Sequence, residues 1–121
     1  LDADTLARLT PYVTVLPSTS QVNLNTAPPE VLMATIPGLD RATAERLLKA
    51  RLLGGFATLD EAKKLMPETL QTDPRLLSVA TQHFEILGEM RYDAYVLREL
   101  ALVRRQNSEV SVLRRETLPR D

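Results

Sequence analysis

The sequence predicts an α+β protein in which a helical part is followed by a small antiparallel β-sheet. Apolar residues recur at helical spacing before residue 81, whereas after it they alternate with charged residues, as in a half-buried strand. Seven of the eight prolines lie in the first part, and the second part has none before Pro119. We therefore expect a helical unit over residues 1–81 and antiparallel strands over residues 82–121.

The composition excludes several classes of protein. Hydrophobic residues make up 44% and charged residues 26% of the 121 residues, which is close to the average of soluble globular domains. With 15 Lys+Arg and 16 Asp+Glu, the net charge of −1 gives no overall field that attracts nucleic acid or an anionic membrane. The absence of Cys excludes disulfides and thiolate chemistry, and a single His excludes a multi-histidine metal site.

The apolar runs and the first residues bear on membrane insertion and on the extent of the chain. The longest apolar runs, such as residues 94–97, are far shorter than the roughly 20 residues that cross a bilayer, so we expect no part to enter a membrane unaided. Residues 1–6 read like the middle of a sequence. We therefore expect a piece of a longer protein whose targeting segment lies upstream.

Local signals place the first helices. A short helix or turn is expected over Ala3–Leu9, followed by an extended stretch from Tyr12 to Leu16. Thr26 is a candidate N-cap for a helix at about Pro28–Thr35, because prolines are tolerated in a first turn. Glu30 supports this start, since a carboxylate favours the positive end of the helix dipole.

Two further helices are expected after the Pro37-Gly38 pair. Asp40 is the candidate N-cap of the first of them, which should end before a Gly-Gly pair. One face of this helix carries residues spaced i, i+3, i+4 and i+7, namely Ala44, Leu47, Leu48 and Arg51. Thr58 and Glu61 have the spacing of a capping box, which starts a last helix that runs to Leu65.

The second part should form three strands. Alternation begins at Phe84, and a second strand is expected at about Ala94–Arg105, although its apolar spacing also suits a helix. Turn residues at 106–108 lead to a final strand around Val110–Arg115, which favours a three-stranded antiparallel meander. One apolar face of this sheet needs a partner layer that the chain supplies only in part. Charged residues are expected to pair across strands on the other, solvated face: Glu85, Glu89, Arg91, Arg98, Glu99, Arg104 and Arg105.

The segment Val31–Leu48 has the layout of a helix-hairpin-helix unit, with Gly38, Leu39 and Asp40 in the hairpin. In units that bind DNA, a Gly-hydrophobic-Gly turn presents backbone N–H groups to a phosphate at a helix N-terminus. Here Asp40 takes the place of the second glycine, so its carboxylate repels a phosphate and competes for the same donors. We interpret the hairpin as structural and expect no nucleic acid at this site.

Candidate catalytic and metal-binding residues are few. His83 has no Ser or Asp at a spacing that suggests a catalytic triad, and it is expected to begin a strand. Asp2 and Asp4 provide too few oxygen ligands for a calcium site of their own. The sequence therefore predicts no enzyme activity, no catalytic residue and no cofactor, and it does not support calcium binding.

A string of motifs resembles two known families. The residues are Val22–Leu32 (VNLNTAPPEVL), Ile36–Asp40 (IPGLD), Ala44 and Phe56–Glu61 (FATLDE). They are similar to the K-type minor pseudopilins of bacterial type II secretion systems, also called general secretion pathway protein K. They are also similar to the helix-hairpin-helix DNA receptors of competence systems, which share the V-N-x-N-T-A opening.

The departures from each pattern favour the pseudopilins. The DNA receptors have Gly at the position of Asp40, then Lys, and a second Gly-hydrophobic-Gly hairpin where this chain has Leu65–Leu70. The strand-rich tail Phe84–Arg115 instead resembles the terminal sheet of the K-type pseudopilins. The likeness extends over about residues 12–118, and a DNA-binding module of the competence-receptor type is the alternative.

The resemblance implies a pilin-like fold with a long N-terminal membrane helix and a helical domain inserted in the sheet. Residues 1–81 would be the last part of that insertion, of helix-hairpin-helix or SAM-like type, and residues 82–121 the closing strands. It further implies a periplasmic location at the tip of the pseudopilus, anchored in the inner membrane. The implied partners are the I-type and J-type minor pseudopilins and the major pseudopilin, whose assembly the tip would initiate and limit.

Overall fold

The computed structural model describes residues 1–120, which contain four α-helices and five β-strands. The protein is therefore of the α+β class, and the helices precede the long strands as the sequence predicts. In chain order the elements are α1 (Ala3–Leu9), β1 (Val22–Asn23), α2 (Pro29–Thr35), α3 (Arg41–Arg51), α4 (Leu59–Lys63), β2 (Leu77–Ser78), β3 (His83–Tyr92), β4 (Tyr95–Gln106) and β5 (Glu109–Thr117).

The helical part has a hydrophobic core of its own between α2, α3 and α4. The side chains of Leu24, Leu32, Ile36 and Leu47 are completely buried in it. Ala62 of α4 and Leu77 of β2 join the same cluster, so the core connects elements that are more than 50 residues apart. Burial of large side chains of this kind is the main source of stability of such a small unit.

The interpretation of Thr26 as a helix cap is wrong. Helix α2 begins at Pro29, and its N-cap is Pro28, which makes no side-chain hydrogen bond. Thr26 lies in the preceding turn, where its backbone N–H donates to the Asn23 carbonyl at 3.2 Å. Because proline has no N–H group and its φ angle already suits a first turn, this helix starts without a side-chain cap.

Helix α4 is shorter than its sequence predicts. It ends at Lys63, although the pattern indicated a helix to Leu65. The N–H groups of Leu65 and Met66 bond to carbonyls three residues back, at 3.1 and 3.0 Å. The last turn is thus tightened into 3-10 geometry, which is common at helix ends.

A two-residue parallel ladder, β1 with β2, closes the helical part. Val22 pairs with Leu77 and Asn23 with Ser78. The N–H groups of Val22 and Leu24 donate to the carbonyls of Leu76 and Ser78 at 2.7 and 2.8 Å. The sequence did not predict this ladder, because two residues are too few to show a period.

The three long strands form an antiparallel sheet in the order β3-β4-β5. This confirms the meander and settles the second segment, which is a strand and not a helix. The turns between the strands hold Asp93 at φ 50° and Asn107 at φ 56°, as tight hairpin turns require. A bulge between Leu102 and Val103 shifts the register of the last pair, so that Leu102 faces Arg114 and Val103 faces Val112.

Candidate functional site

The hairpin between α2 and α3 is the site that the sequence singled out. Gly38 has a φ angle of +81°, which is favourable only for glycine. A Cβ atom added there would lie 3.0 Å from the Leu70 side chain. Leu39 is buried, and its N–H donates to the Ile36 carbonyl at 3.1 Å. The turn is thus fixed by packing on its inner side.

Asp40 occupies the end of the hairpin where α3 begins. Its Oδ1 atom accepts a hydrogen bond from the Thr43 N–H at 2.8 Å, which makes it the N-cap of the helix. Hydrogen bonding from Thr43, through both its side chain and its N–H, holds the pKa of Asp40 below its ordinary value. The carboxylate is therefore charged at neutral pH and occupies a donor that a phosphate would need.

Three of the four basic side chains of α3 are engaged within the chain, and the fourth, Lys49, is exposed. Arg41 Nη2 contacts Glu30 Oε1 at 3.1 Å, and Arg46 Nη2 donates to Thr43 Oγ1 at 3.2 Å. Arg51 points inward, as described below. These contacts leave few basic side chains of α3 available to the DNA backbone, which agrees with the interpretation of the hairpin as structural.

Thr58 and Glu61 lie together at the start of α4, separate from the hairpin. Thr58 Oγ1 accepts from the Glu61 N–H at 3.3 Å, and Glu61 Oε2 accepts from the Ala57 N–H at 2.9 Å. This arrangement is a variant of the capping box, because Glu61 accepts from the N–H of the residue before the N-cap Thr58. Its role is to begin a helix.

Asn25 joins three segments of the helical part, a role that the sequence did not reveal. Its Nδ2 atom donates to the carbonyls of Phe56 and Val79 at 3.0 and 2.9 Å, and its Oδ1 atom accepts from the Phe56 N–H at 2.7 Å. A Cβ atom at Gly55 would approach this Oδ1 atom to 3.1 Å. The second Asn of the V-N-x-N motif was the only sign of this role in the sequence. Its partners could not be inferred, because they are 31 and 54 residues away.

Arg51 has a second structural role. Its Nη1 atom donates to the backbone carbonyls of Leu24 and Ala27 at 3.1 and 2.6 Å. It therefore fixes the loop before α2 to the end of α3. The sequence contained a sign of this role, because Arg51 falls on the apolar face of its helix and an arginine there needs hydrogen-bond partners.

One face of the antiparallel sheet carries most of the exposed apolar side chains. Because paired residues share a face, the register assigns a set of apolar side chains to it. We call this set the apolar face: Phe84, Ile86, Met90, Tyr92, Tyr95, Leu97, Ala101, Val103, Val110 and Val112. Eight of these large side chains are exposed, and Met90 is 63% and Tyr92 74% accessible to solvent. An uncovered patch of this kind indicates an interaction surface.

The charged residues of the sheet are divided between its two faces. Glu89 contacts Arg98 across the strands at 3.1 Å, on the face opposite the apolar face. Glu99 and Arg105 were expected on that solvated face as well, and this is wrong. In the observed register the odd-numbered residues of β4 pair with the even-numbered residues of β3, which form the apolar face. Glu99 and Arg105 therefore lie on the apolar face. There Glu99 Oε1 contacts Arg115 Nε diagonally across the strands at 3.7 Å, and the Arg105 guanidinium lies over the Phe84 ring at 5.1 Å from its centroid.

Comparison with known proteins bears on the family. Residues 22–80 match the family described as type II secretion system (T2SS), protein K. Over 84 residues, which are 69% of this chain, the sequence is 32% identical to the type II secretion system protein K of Pseudomonas aeruginosa.

The chain is similar to type II secretion system protein K.

The match extends over the helical part and its closing ladder, and it agrees with the pseudopilin resemblance rather than with the DNA receptors. The chain spans about 25% of the length of the curated relative that it matches. Both descriptions name protein K as a component of a type II secretion system.

Two further properties of residues 1–120 concern membranes and metals. No helix among them has both the length and the apolar character needed to cross a bilayer. Nor do these residues contain a cluster of three or more His, Cys, Asp or Glu side chains that is suited to hold a metal ion.

Proposed function

We propose that this chain is part of a minor pseudopilin, a structural subunit without catalytic activity at the tip of a type II secretion pseudopilus. The observation that carries this proposal is the apolar face, presented by a chain that is similar to protein K. Contiguous exposed apolar surface is rare in monomers and marks a place where another element packs. An assembly subunit explains such a surface, whereas an enzyme would need a cleft with reactive groups.

The occupant proposed for the apolar face is a long helix upstream of residue 1. Cross-strand rows of apolar side chains run over the sheet: Met90 beside Leu97, Ile86 beside Ala101, and Phe84 beside Val103 and Val112. A helix with side chains is about 10 Å wide, so it covers such rows when it lies along the strands. In this arrangement residues 82–121 are the closing strands of a pilin-like sheet, and the helix also anchors the protein in the inner membrane.

The helical part, proposed as residues 1–81, acts as a rigid cap of helix-hairpin-helix or SAM-like type. Its own buried core and the Asn25 contacts stiffen it. Because Asp40 accepts from the Thr43 N–H and the Leu39 N–H donates to the Ile36 carbonyl, we assign the hairpin to structure rather than to DNA. The bulk of this cap would block the addition of further subunits beyond the tip.

The partners proposed are the I-type and J-type minor pseudopilins, with the major pseudopilin added below them. Together they initiate the pseudopilus, and the cap limits it to one end. The part described here would lie in the periplasm.

A paired titration tests the choice between pseudopilin and DNA-binding module. The full periplasmic domain and this 121-residue chain are titrated with purified periplasmic domains of the I-type and J-type pseudopilins, and in parallel with double-stranded DNA at low salt. We expect binding to the pseudopilins and none to DNA. Salt-sensitive DNA binding that Gly38→Asp abolishes would overturn the proposal, because it would show a working phosphate site at the hairpin.

A dye-binding experiment tests the covering helix. The 121-residue chain should bind a hydrophobic dye such as ANS, and Met90→Glu should reduce this binding. Leu87→Glu is the matched control, because Leu87 is similarly exposed at 62% but lies on the opposite face. A longer chain that includes the upstream helix should bind little dye. Equal dye binding by both chain lengths would show that the helix does not cover the apolar face.

Deletion of the helical part tests the blocking role. Secretion in cells should fail or become irregular when residues 1–81 are removed from the full-length protein. Normal secretion by that variant would contradict a function of the cap in limiting assembly.

A further inference from the structure

A polar cavity lies where the helical part meets the sheet. It has a volume of about 340 Å³ and is bounded by the segment before β1, the segment after β2, and the adjacent ends of β3 and β4. Hydroxyl side chains make up much of its lining, contributed by Ser18, Thr19, Ser20, Ser78 and Thr81. No carboxylate is among the lining side chains. The cavity is therefore rich in hydrogen-bond donors and free of negative charge.

Two basic side chains in this cavity have buried polar atoms without a partner. Both ring nitrogens of His83 and the Nε atom of Arg104 are buried, and no group of residues 1–120 forms a hydrogen bond with them. Native proteins pair roughly 90% or more of their buried polar groups, so each such atom needs an explanation. A guanidinium can only donate, and an imidazole carries at least one N–H donor.

The two side chains are held next to each other. His83 and Arg104 are directly opposite in the register of β3 and β4, so they share a face and lie roughly 5 Å apart at their Cβ atoms. The Thr81 hydroxyl accepts from the His83 N–H and donates to the His83 carbonyl, both at 3.1 Å. The Arg105 N–H donates to the Gln82 carbonyl at 2.7 Å. The backbone around the cavity is thus ordered in advance of any ligand.

We propose that this cavity binds an oxyanion, either a carboxylate or a phosphate-type group, between the Arg104 guanidinium and the His83 imidazole. The oxygens of such a group accept hydrogen bonds and complement a donor-rich site that has no acid of its own. Two sources supply this chemistry: a free inorganic anion, or an acidic side chain of a protein that docks on this junction. The inference rests on the cavity alone and does not depend on the proposed function.

The single histidine of the chain makes a direct test feasible. The imidazole signals of His83 are followed by NMR while the 121-residue chain is titrated at neutral pH and constant ionic strength. One arm uses inorganic phosphate, a second uses glutamate blocked at both its amino and α-carboxyl groups, and sodium chloride is the control. We expect saturable shifts in the millimolar range with at least one oxyanion and none with chloride. Tighter binding of blocked glutamate would point to a protein partner, and tighter binding of phosphate to a free anion.

Variants of two neighbouring arginines locate the site. Arg104→Gln should weaken binding about ten- to a hundredfold, because it removes a charged hydrogen-bond donor. Arg105→Gln is the matched control and should bind as the wild type does, since Arg105 lies on the other face over Phe84. Far-UV circular dichroism verifies that both variants fold. Equal binding by Arg104→Gln would overturn the proposal. A wild-type titration with no saturable shift would also overturn it, independently of any variant.

Discussion

Removal of the Asn25 side chain should destabilise the helical part more than almost any other polar substitution. The amide makes three hydrogen bonds to backbone groups, two to Phe56 and one to Val79. Phe56 is only 8% exposed, so its N–H is cut off from bulk water when the partner is lost. Each such bond contributes about 1 kcal/mol net, and an unpaired buried group costs about 1–3 kcal/mol. We therefore expect Asn25→Ala to lower the free energy of unfolding by about 2–4 kcal/mol.

The assay is urea unfolding followed by far-UV circular dichroism. With a denaturant slope of about 2 kcal/mol per molar, the middle of the range for a small protein, the midpoint should fall by about 1–2 M. Asn25→Asp should be at least as destabilising, because a carboxylate oxygen would replace the Nδ2 donor and face two carbonyls. Gln71→Ala, at an exposed amide, is the control. A loss below about 0.5 kcal/mol for Asn25→Ala would refute the view that this residue joins the three segments.

Three other substitutions have defined outcomes in the same unfolding assay. Arg51→Met should cost about 2–3 kcal/mol, because two backbone carbonyls lose a charged donor, whereas the exposed Lys49→Met should cost almost nothing. Gly38→Ala should cost about 1–3 kcal/mol because φ is +81° and space is short, whereas Gly88→Ala, with 3.8 Å to its nearest neighbour, should cost less than about 1 kcal/mol. Hydrogen bonding lowers the pKa of Asp40 in the fold, so its stabilisation is complete above the ordinary value of 3.8 and is lost as the pH falls through the lowered value. Asp40→Asn should accordingly flatten the acid side of the stability profile, and an unchanged acid limb would contradict the capping role.

The features that the sequence predicted are those with short-range signals. A helix start is recognised from residues three apart, as in Asp40 with Thr43 and Thr58 with Glu61. The structure places Asp40, Thr58 and Glu61 at helix starts. The long strands show several periods of alternation, which is why β3 and β5 were recognisable. Thr26 had the right residue type, but the prolines after it shifted the start of the helix to Pro29. Local chemistry thus fixed most elements to within a few residues.

The features that were missed depend on contacts between distant parts of the chain. The β1–β2 ladder pairs residues 55 positions apart, so no window of sequence contains it. The face of Glu99 and Arg105 depends on the register between β3 and β4, which is determined by the turn at Asp93 and not by alternation alone. The cavity at His83 and Arg104 was invisible for the same reason, since segments around residues 20, 80 and 104 form it together.

The parallel ladder has a mechanical consequence. The chain enters β1 at Val22 and leaves β2 at Ser78, and the two strands run in the same direction. A pull on the two ends of the chain therefore moves the strands past each other along their axes. The hydrogen bonds of the ladder, which lie across this direction, are then strained together rather than broken one after another. The helices between them bear little of this force until the ladder fails, so two short strands determine how much tension the helical part withstands.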